Sequence, residues 1–290
     1  MGDWTLDPVP LAALVVGAAA YGRRARTLGA RLPRGKAAAF GLALLTLAAA
    51  LFSPIDTIGE RRLFWVHMVQ HLLIGDVAAL LLVIGLTGPL LRPLLALGPL
   101  RRLRVLAHPL VALPLWAGNL YAWHVPRLYD AALAHSSVHA VEHVLFLACG
   151  VLLWGALLEP LPGPRWFGTG PKLAALAFVW LAGGILANVF VWSGHPFYTY
   201  RGTVDQRIGG GVMLLEMSAI VLGVFVWLAL GWLRESELRQ QLLDRGYAPE
   251  AAARAARYRI RRRGEEGLPT RHKAVSVAPP TEEEVASRSP

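Results

Sequence analysis

One cysteine stands in the whole 290-residue chain, Cys149, inside an apolar run. That excludes an intrachain disulfide and any cysteine-based metal centre within one chain. Charge is scarce too: 17% of the residues are charged against 55% hydrophobic, a balance foreign to a soluble domain of this length. No Rossmann glycine fingerprint, P-loop or nucleophile elbow occurs, so nothing marks dinucleotide binding, nucleotide hydrolysis or serine-hydrolase chemistry. The formal net charge of +10 invites a nucleic-acid reading, but the placement of the charges argues against one. Arg and Lys sit at the ends of apolar runs, where they set membrane orientation and meet anionic lipid headgroups.

What the chain has in quantity is apolar sequence of membrane-crossing length. A hydrocarbon core about 30 Å thick takes roughly 20 residues of helix. Seven segments are read as spans: 8–22, 37–53, 63–86, 105–123, 138–158, 172–193 and 208–233. The expected fold class is an all-α integral membrane protein, a seven-transmembrane helix bundle. Asp3 and Asp7 precede the first span and Arg23, Arg24 and Arg26 follow it, the reverse of a cleavable signal peptide. The 1–2 loop (Arg31, Arg34 and Lys36 as well), the 3–4 loop (Arg92, Arg101, Arg102, Arg104), the 5–6 loop (Arg165, Lys172) and the tail are basic. In the 2–3 loop Arg61 and Arg62 are offset by Asp56 and Glu60, the 4–5 loop has Arg127, and the 6–7 loop sets Arg201 and Arg207 beside Asp205. The positive-inside rule then puts the N-terminus outside and the C-terminus in the cytoplasm. Residues 1–233 are expected as the transmembrane domain and 234–263 as a basic cytoplasmic helical segment, broken at Gly246 and restarted at Pro249. Its Arg254, Arg257, Arg259, Arg261, Arg262 and Arg263 would lie against the inner leaflet. Residues 264–290 are expected as a disordered tail.

Histidine carries the chemistry. Seven of the nine histidines fall at or near the outer ends of the expected spans: His67, His71, His124, His135, His139, His143 and His195. His67/His71 and His139/His143 are spaced four apart, so each pair lies on one helix face with Cβ atoms about 5–6 Å apart. Polar groups at this depth face the bundle interior or a wet cavity, so the two pairs are expected to face inward and toward each other, as ligands to one or two metal ions. His108 and His195 read as cap or headgroup residues.

Imidazole suits zinc, copper and iron, and thioethers favour Cu(I). Met213 and Met217, four apart in the last span, are candidate additional ligands, with core filling as their ordinary role. Met68 adjoins His67 but points about 100° away on the helix. Bis-histidine haem is the rival cofactor. Glu142 is expected to orient a ligating imidazole from behind. Asp76, Glu216 and Asp205 are left between imidazole support, proton handling and plain helix-end or helix–helix hydrogen bonding. Trp116, Tyr121, Trp123, Trp227 and Trp232 read as interface anchors. Gly183-Gly184 and Gly209-Gly210-Gly211 read as points of close helix approach.

The runs HMVQHLLIGDVAALLLVIGLTGPLL (67–91), YAWHVPRLYDAAL (121–133), HAVEHVLFLACGVLLWGAL (139–157) and DQRIGGGVM (205–213) occur in order and resemble the CtaG-type cytochrome c oxidase assembly factors, bacterial seven-helix membrane proteins. The resemblance covers roughly 36–233. It implies a non-enzymatic factor in the bacterial plasma membrane that helps mature a haem-copper oxidase, with cytochrome c oxidase subunits as partners. It further implies copper supply to that oxidase. His67, His71, His124, His139, His143 and the Asp205-Gln206 pair match the family pattern. Leu214 stands where that pattern continues with Trp. The expected ligands are thus His67, His71, His139 and His143, with His124, Met213 and Met217 as extra or transfer ligands. The alternatives are a haem-binding membrane cytochrome and a copper or proton transporter; the apolar inner halves of the spans disfavour the transporter.

Overall fold

The computed structural model describes residues 4–29, 32–98, 103–161, 163–164, 166–198 and 202–256. Among them there is helix and no strand. Ten helices organise the first of two compact units, Met1–Leu233: α1 (Pro8–Leu28), α2 (Arg34–Phe52), α3 (Pro54–Arg61), α4 (Phe64–Gly85), α5 (Gly88–Ala96), α6 (Pro109–Trp123), α7 (Pro126–Ala134), α8 (Ser136–Leu158), α9 (Thr169–Trp192) and α10 (Thr203–Asp244), the last running past that unit's end.

Five of these, α2, α4, α8, α9 and α10, are long and apolar enough to cross a membrane, the mark of a multi-pass membrane protein. The expected count of seven is not reached on that measure. Helix α6 has 15 residues, about 22 Å of rise, short of the hydrocarbon thickness. Helix α1 has 21 residues but closes on Arg23, Arg24 and Arg26. The starts follow local chemistry. The Asp7 carboxylate accepts from Val9 N–H at 3.0 Å ahead of Pro8, and Ser53 caps α3 ahead of Pro54; both are N-cap plus first-turn proline signals.

Helix α4 is not uniform. Leu73–Ala78 forms a π-helical turn. Asp76, within this turn, lines the same cavity as Met68, His71, Leu72 and Gly75. Glycine sets the spacing of α4 and α8: a Cβ on Gly150 would land on the Gly75 carbonyl oxygen. Of the other expected close approaches, Gly183 faces the Met217 thioether, Gly209 faces Phe64 and Gly210 faces the Ala187 carbonyl and Phe190, while Gly184 and Gly211 have nothing near. Trp227 and Trp232 are exposed, as interface anchors would be. Trp116 and Trp123 are buried instead, because α6 turns that face into the bundle.

The second unit comprises Arg234–Pro290. Its described part ends α10 at Gly246, with φ 84°. Gly246 N–H bonds to Leu243 O and Tyr247 N–H to Leu242 O, the paired bonds of a glycine-terminated helix. A new helix opens at Pro249 and is described to residue 256. The expectations for Arg257, Arg259, Arg261, Arg262, Arg263 and the 264–290 tail lie outside the described residues, as do Asp3, Arg31, Arg101, Arg102, Arg165 and Arg201.

Replacing Gly150 by Leu forces α4 and α8 apart. Overpacking of this kind costs about 1–3 kcal/mol, so the melting temperature of the detergent-solubilised protein should fall by on the order of 5 °C. Gly118→Ala, with nothing within 4 Å, should leave it unchanged. Equal melts for both variants would show that this helix contact is not made.

Candidate metal centre

Helices α4 and α8 bring their histidines together. His67 and His71 sit one turn apart with ring centroids 4.2 Å apart, and His139 and His143 with centroids 4.1 Å apart. Across the interface His67 lies 5.5 Å from His139, and His71 lies 6.4 Å from His139 and 5.4 Å from His143. His67, His71, His139 and Glu142 each offer one ligand atom, and the four atoms lie within 4.8 Å of one another. All four residues are buried. His143 borders this group without belonging to it. Glu142, expected behind an imidazole, instead stands in the group, with Oε1 3.7 Å from His71 Nδ1.

The donors fit a cation. Among the described residues, both ring nitrogens of His71, Nε2 of His139 and Oε2 of Glu142 are buried without a hydrogen-bond partner. Leaving such a group unpaired costs about 1–3 kcal/mol, and here several converge on one point. Imidazole with one carboxylate suits first-row divalent ions and copper.

Each imidazole row is held from outside the cluster. His139 Nδ1–H donates to Glu60 Oε1 at 2.7 Å. A carboxylate can only accept, so this bond fixes the proton on Nδ1 and leaves the Nε2 lone pair for the cluster, the arrangement that commonly orients metal-binding histidines. The hydrogen bond from His139 holds the Glu60 carboxyl below its ordinary pKa, against the opposing effect of burial. Asp56, one turn earlier on α3, accepts from Gln70 Nε2 at 2.6 Å, yet burial dominates and raises its pKa. Gln70 also donates to Ala50 O at 2.9 Å, tying α4 to α2. Asp205 accepts from Phe64 N–H at 2.7 Å and Trp65 N–H at 3.1 Å. It therefore satisfies the exposed donors at the start of α4, the turn that carries His67. Gln206 beside it binds the loop: its amide oxygen accepts from Phe197 N–H at 2.8 Å.

His124, Met213 and Met217 are not in the four-residue group. They line a neighbouring cavity of about 30 Å³ together with His71, Met68 and Asp76. His135 and His195 are exposed, and His108 caps α6, accepting from Leu110 N–H at 3.3 Å. Glu60 and Asp56 escaped sequence reasoning as site residues because they count first as loop charges. The signal was present: Ser53-Pro54 opens a helix, which puts acids four apart on one face directly before His67.

The lowered Glu60 pKa gives a sign for acid sensitivity. Its stabilisation is fully present above the unfolded carboxylate value of about 4.3 and is lost as pH falls through the lowered folded value. Thermal melts should therefore show wild type above Glu60→Gln at neutral pH, with the gap closing in acid. A gap of constant size from neutral to acid pH would contradict the Glu60–His139 bond.

The family model for the cytochrome c oxidase caa3 assembly factor (Caa3_CtaG) matches residues 15–235. Uncharacterized proteins of Mycobacterium bovis and Mycobacterium tuberculosis are each 27% identical over 264 residues, covering 80% of this chain and 40% of theirs. One of Mycobacterium leprae is 26% identical over 242 residues, covering 73% and 36%. The chain thus spans about two-fifths of the length of the curated relatives it matches. No solved structure matches. The family match takes in both imidazole rows, Glu60, Asp205 and all the cavity-lining methionines, and the chain belongs to the cytochrome c oxidase caa3 assembly factor family.

Proposed function

We propose that this protein binds copper at the non-cytoplasmic face of a bacterial plasma membrane and hands it to a haem-copper oxidase during assembly. In this reading the chain is a seven-helix bundle with its N-terminus outside, α1 and α6 completing the count. Copper is cargo, and no covalent step is asked of the protein. His67, His71 and His139, with Glu142, hold the ion; His143 stands at the edge of the site; oxidase subunits are the partners that receive it.

The observation that carries this reading is the set of three imidazoles and one carboxylate, buried on facing helices within 4.8 Å of one another. Buried ionisable groups in apolar bundles are costly and mark function by default. Family membership supplies the oxidase side of the reading. A haem reading fits less well: cofactor sites occupy roughly 300–1,000 Å³, against a cavity of about 30 Å³ beside the cluster.

Copper analysis of the purified, copper-loaded protein tests the proposal. Wild type should retain copper after desalting, and replacing His67, His71, His139 and His143 together by Ala should remove most of it. Unchanged stoichiometry in that variant would overturn the ligand assignment. A Soret band in the protein as isolated would favour the cytochrome, and copper uptake into sealed vesicles would favour the transporter.

A further inference from the structure

We propose a second cation site, distinct from the histidine–glutamate group, in which Met68, His124, Met213 and Met217 bind a soft monovalent ion, Cu(I) or its analogue Ag(I). The chain has four methionines. One is Met1, and the other three line one cavity. All three are buried. They come from two helices, Met68 from α4 and the pair Met213/Met217 from successive turns of α10.

The geometry at His124 points to a ligand. Its Nδ1 lies 2.6 Å from the Leu120 carbonyl oxygen. A carbonyl has no proton to give, so Nδ1 carries the hydrogen and, in the neutral ring, Nε2 carries a lone pair. That Nε2 lies 3.4 Å from Met68 Sδ, and a thioether sulfur has only lone pairs to offer. Two acceptors therefore face each other with no hydrogen between them. Protonating both nitrogens would bury a charge against Trp116, Leu120, Phe146 and the Met68 sulfur, with Asp76 the one acid among the described residues of the lining, at a high desolvation cost. A cation at this point satisfies nitrogen and sulfur together. With bonds of the length zinc makes to imidazole nitrogen and to sulfur, about 2.0 and 2.3 Å, a 3.4 Å separation corresponds to both atoms on one ion at roughly a tetrahedral angle.

The surroundings fit the same ion. Thioethers select Cu(I) over harder cations, and the cavity, about 30 Å³, admits a bare ion but no large ligand. The Met217 thioether lies in a notch that any side chain at position 183 would fill. Tyr198 O–H donates to the His124 carbonyl at 3.1 Å, holding that residue at the helix end. Asp76 adds a carboxylate to the wall. His71 lines this cavity and also belongs to the histidine–glutamate group, so the two sites share one side chain. This inference rests on the copper reading only for which ion reaches the site in the cell.

The full chain in detergent is titrated with Ag(I), which is inert to redox change, and the Ag-loaded protein is measured by X-ray absorption. Wild type should bind Ag(I) with a sulfur shell. Met68→Leu/Met213→Leu/Met217→Leu should lose that shell and bind at least about tenfold more weakly. His67→Ala/His139→Ala should keep it. Met and Leu are close in volume, so packing is largely preserved; if the triple variant does not fold, Met68→Leu alone should weaken Ag(I) binding several-fold. A wild type without sulfur ligation, or methionine variants with wild-type affinity, would overturn the second site. If His67→Ala/His139→Ala retains all bound Cu(II) while the methionine variants lose Ag(I), the histidine site fails and this one stands.

Discussion

Burying imidazoles in an apolar helix bundle is the constraint on which the rest of this structure depends. Each ring nitrogen taken out of water needs a partner, and the backbone of a helix has none to spare. The chain meets the demand by opposing two rows, His67/His71 on α4 and His139/His143 on α8, and adding Glu142 between them. Below the rows, α4 and α8 approach closely at Gly75 and Gly150.

A shell of ordinary polar contacts fixes the cluster. Glu60 selects the His139 tautomer, Gln70 ties α4 to α2 and to Asp56, and Asp205 caps α4 from a segment 140 residues away. The Asp205-Gln206 pair thus acts through position: it sets the helix end from which His67 projects. His71 is the residue common to the cluster and the thioether-lined cavity, and Asp76 on the π-helical turn lines that cavity as well.

Much of this was legible in the sequence, for a physical reason. Apolar runs and four-residue histidine spacing are local signals, and they locate all the long helices and the rows' shared face. The first and fourth expected spans, α1 and α6, are not among the five helices long and apolar enough to cross a membrane, since α1 carries arginines in its last turns and α6 starts late, at His108 and Pro109. Glu60 and Met68 were passed over for opposite reasons: Glu60 sits on a short helix whose charge suggests solvent, and Met68 points off the His67 face. Met68 finds its neighbour, His124, at the C-terminal end of α6 instead, a long-range contact that no spacing announces. The interface reading of Trp116 and Trp123 failed likewise, since which face of α6 turns inward is a tertiary matter.

The central claim is that facing helices α4 and α8 share one copper ion through their imidazoles. Pulsed electron paramagnetic resonance on the Cu(II)-loaded full-length protein tests it most directly, because the remote nitrogen of each bound imidazole leaves its own modulation. The account predicts modulation from at least two imidazoles, reduced both by replacing His67 on α4 and by replacing His139 on α8. A signal that survives either replacement unchanged, or that shows no bound imidazole, would contradict it.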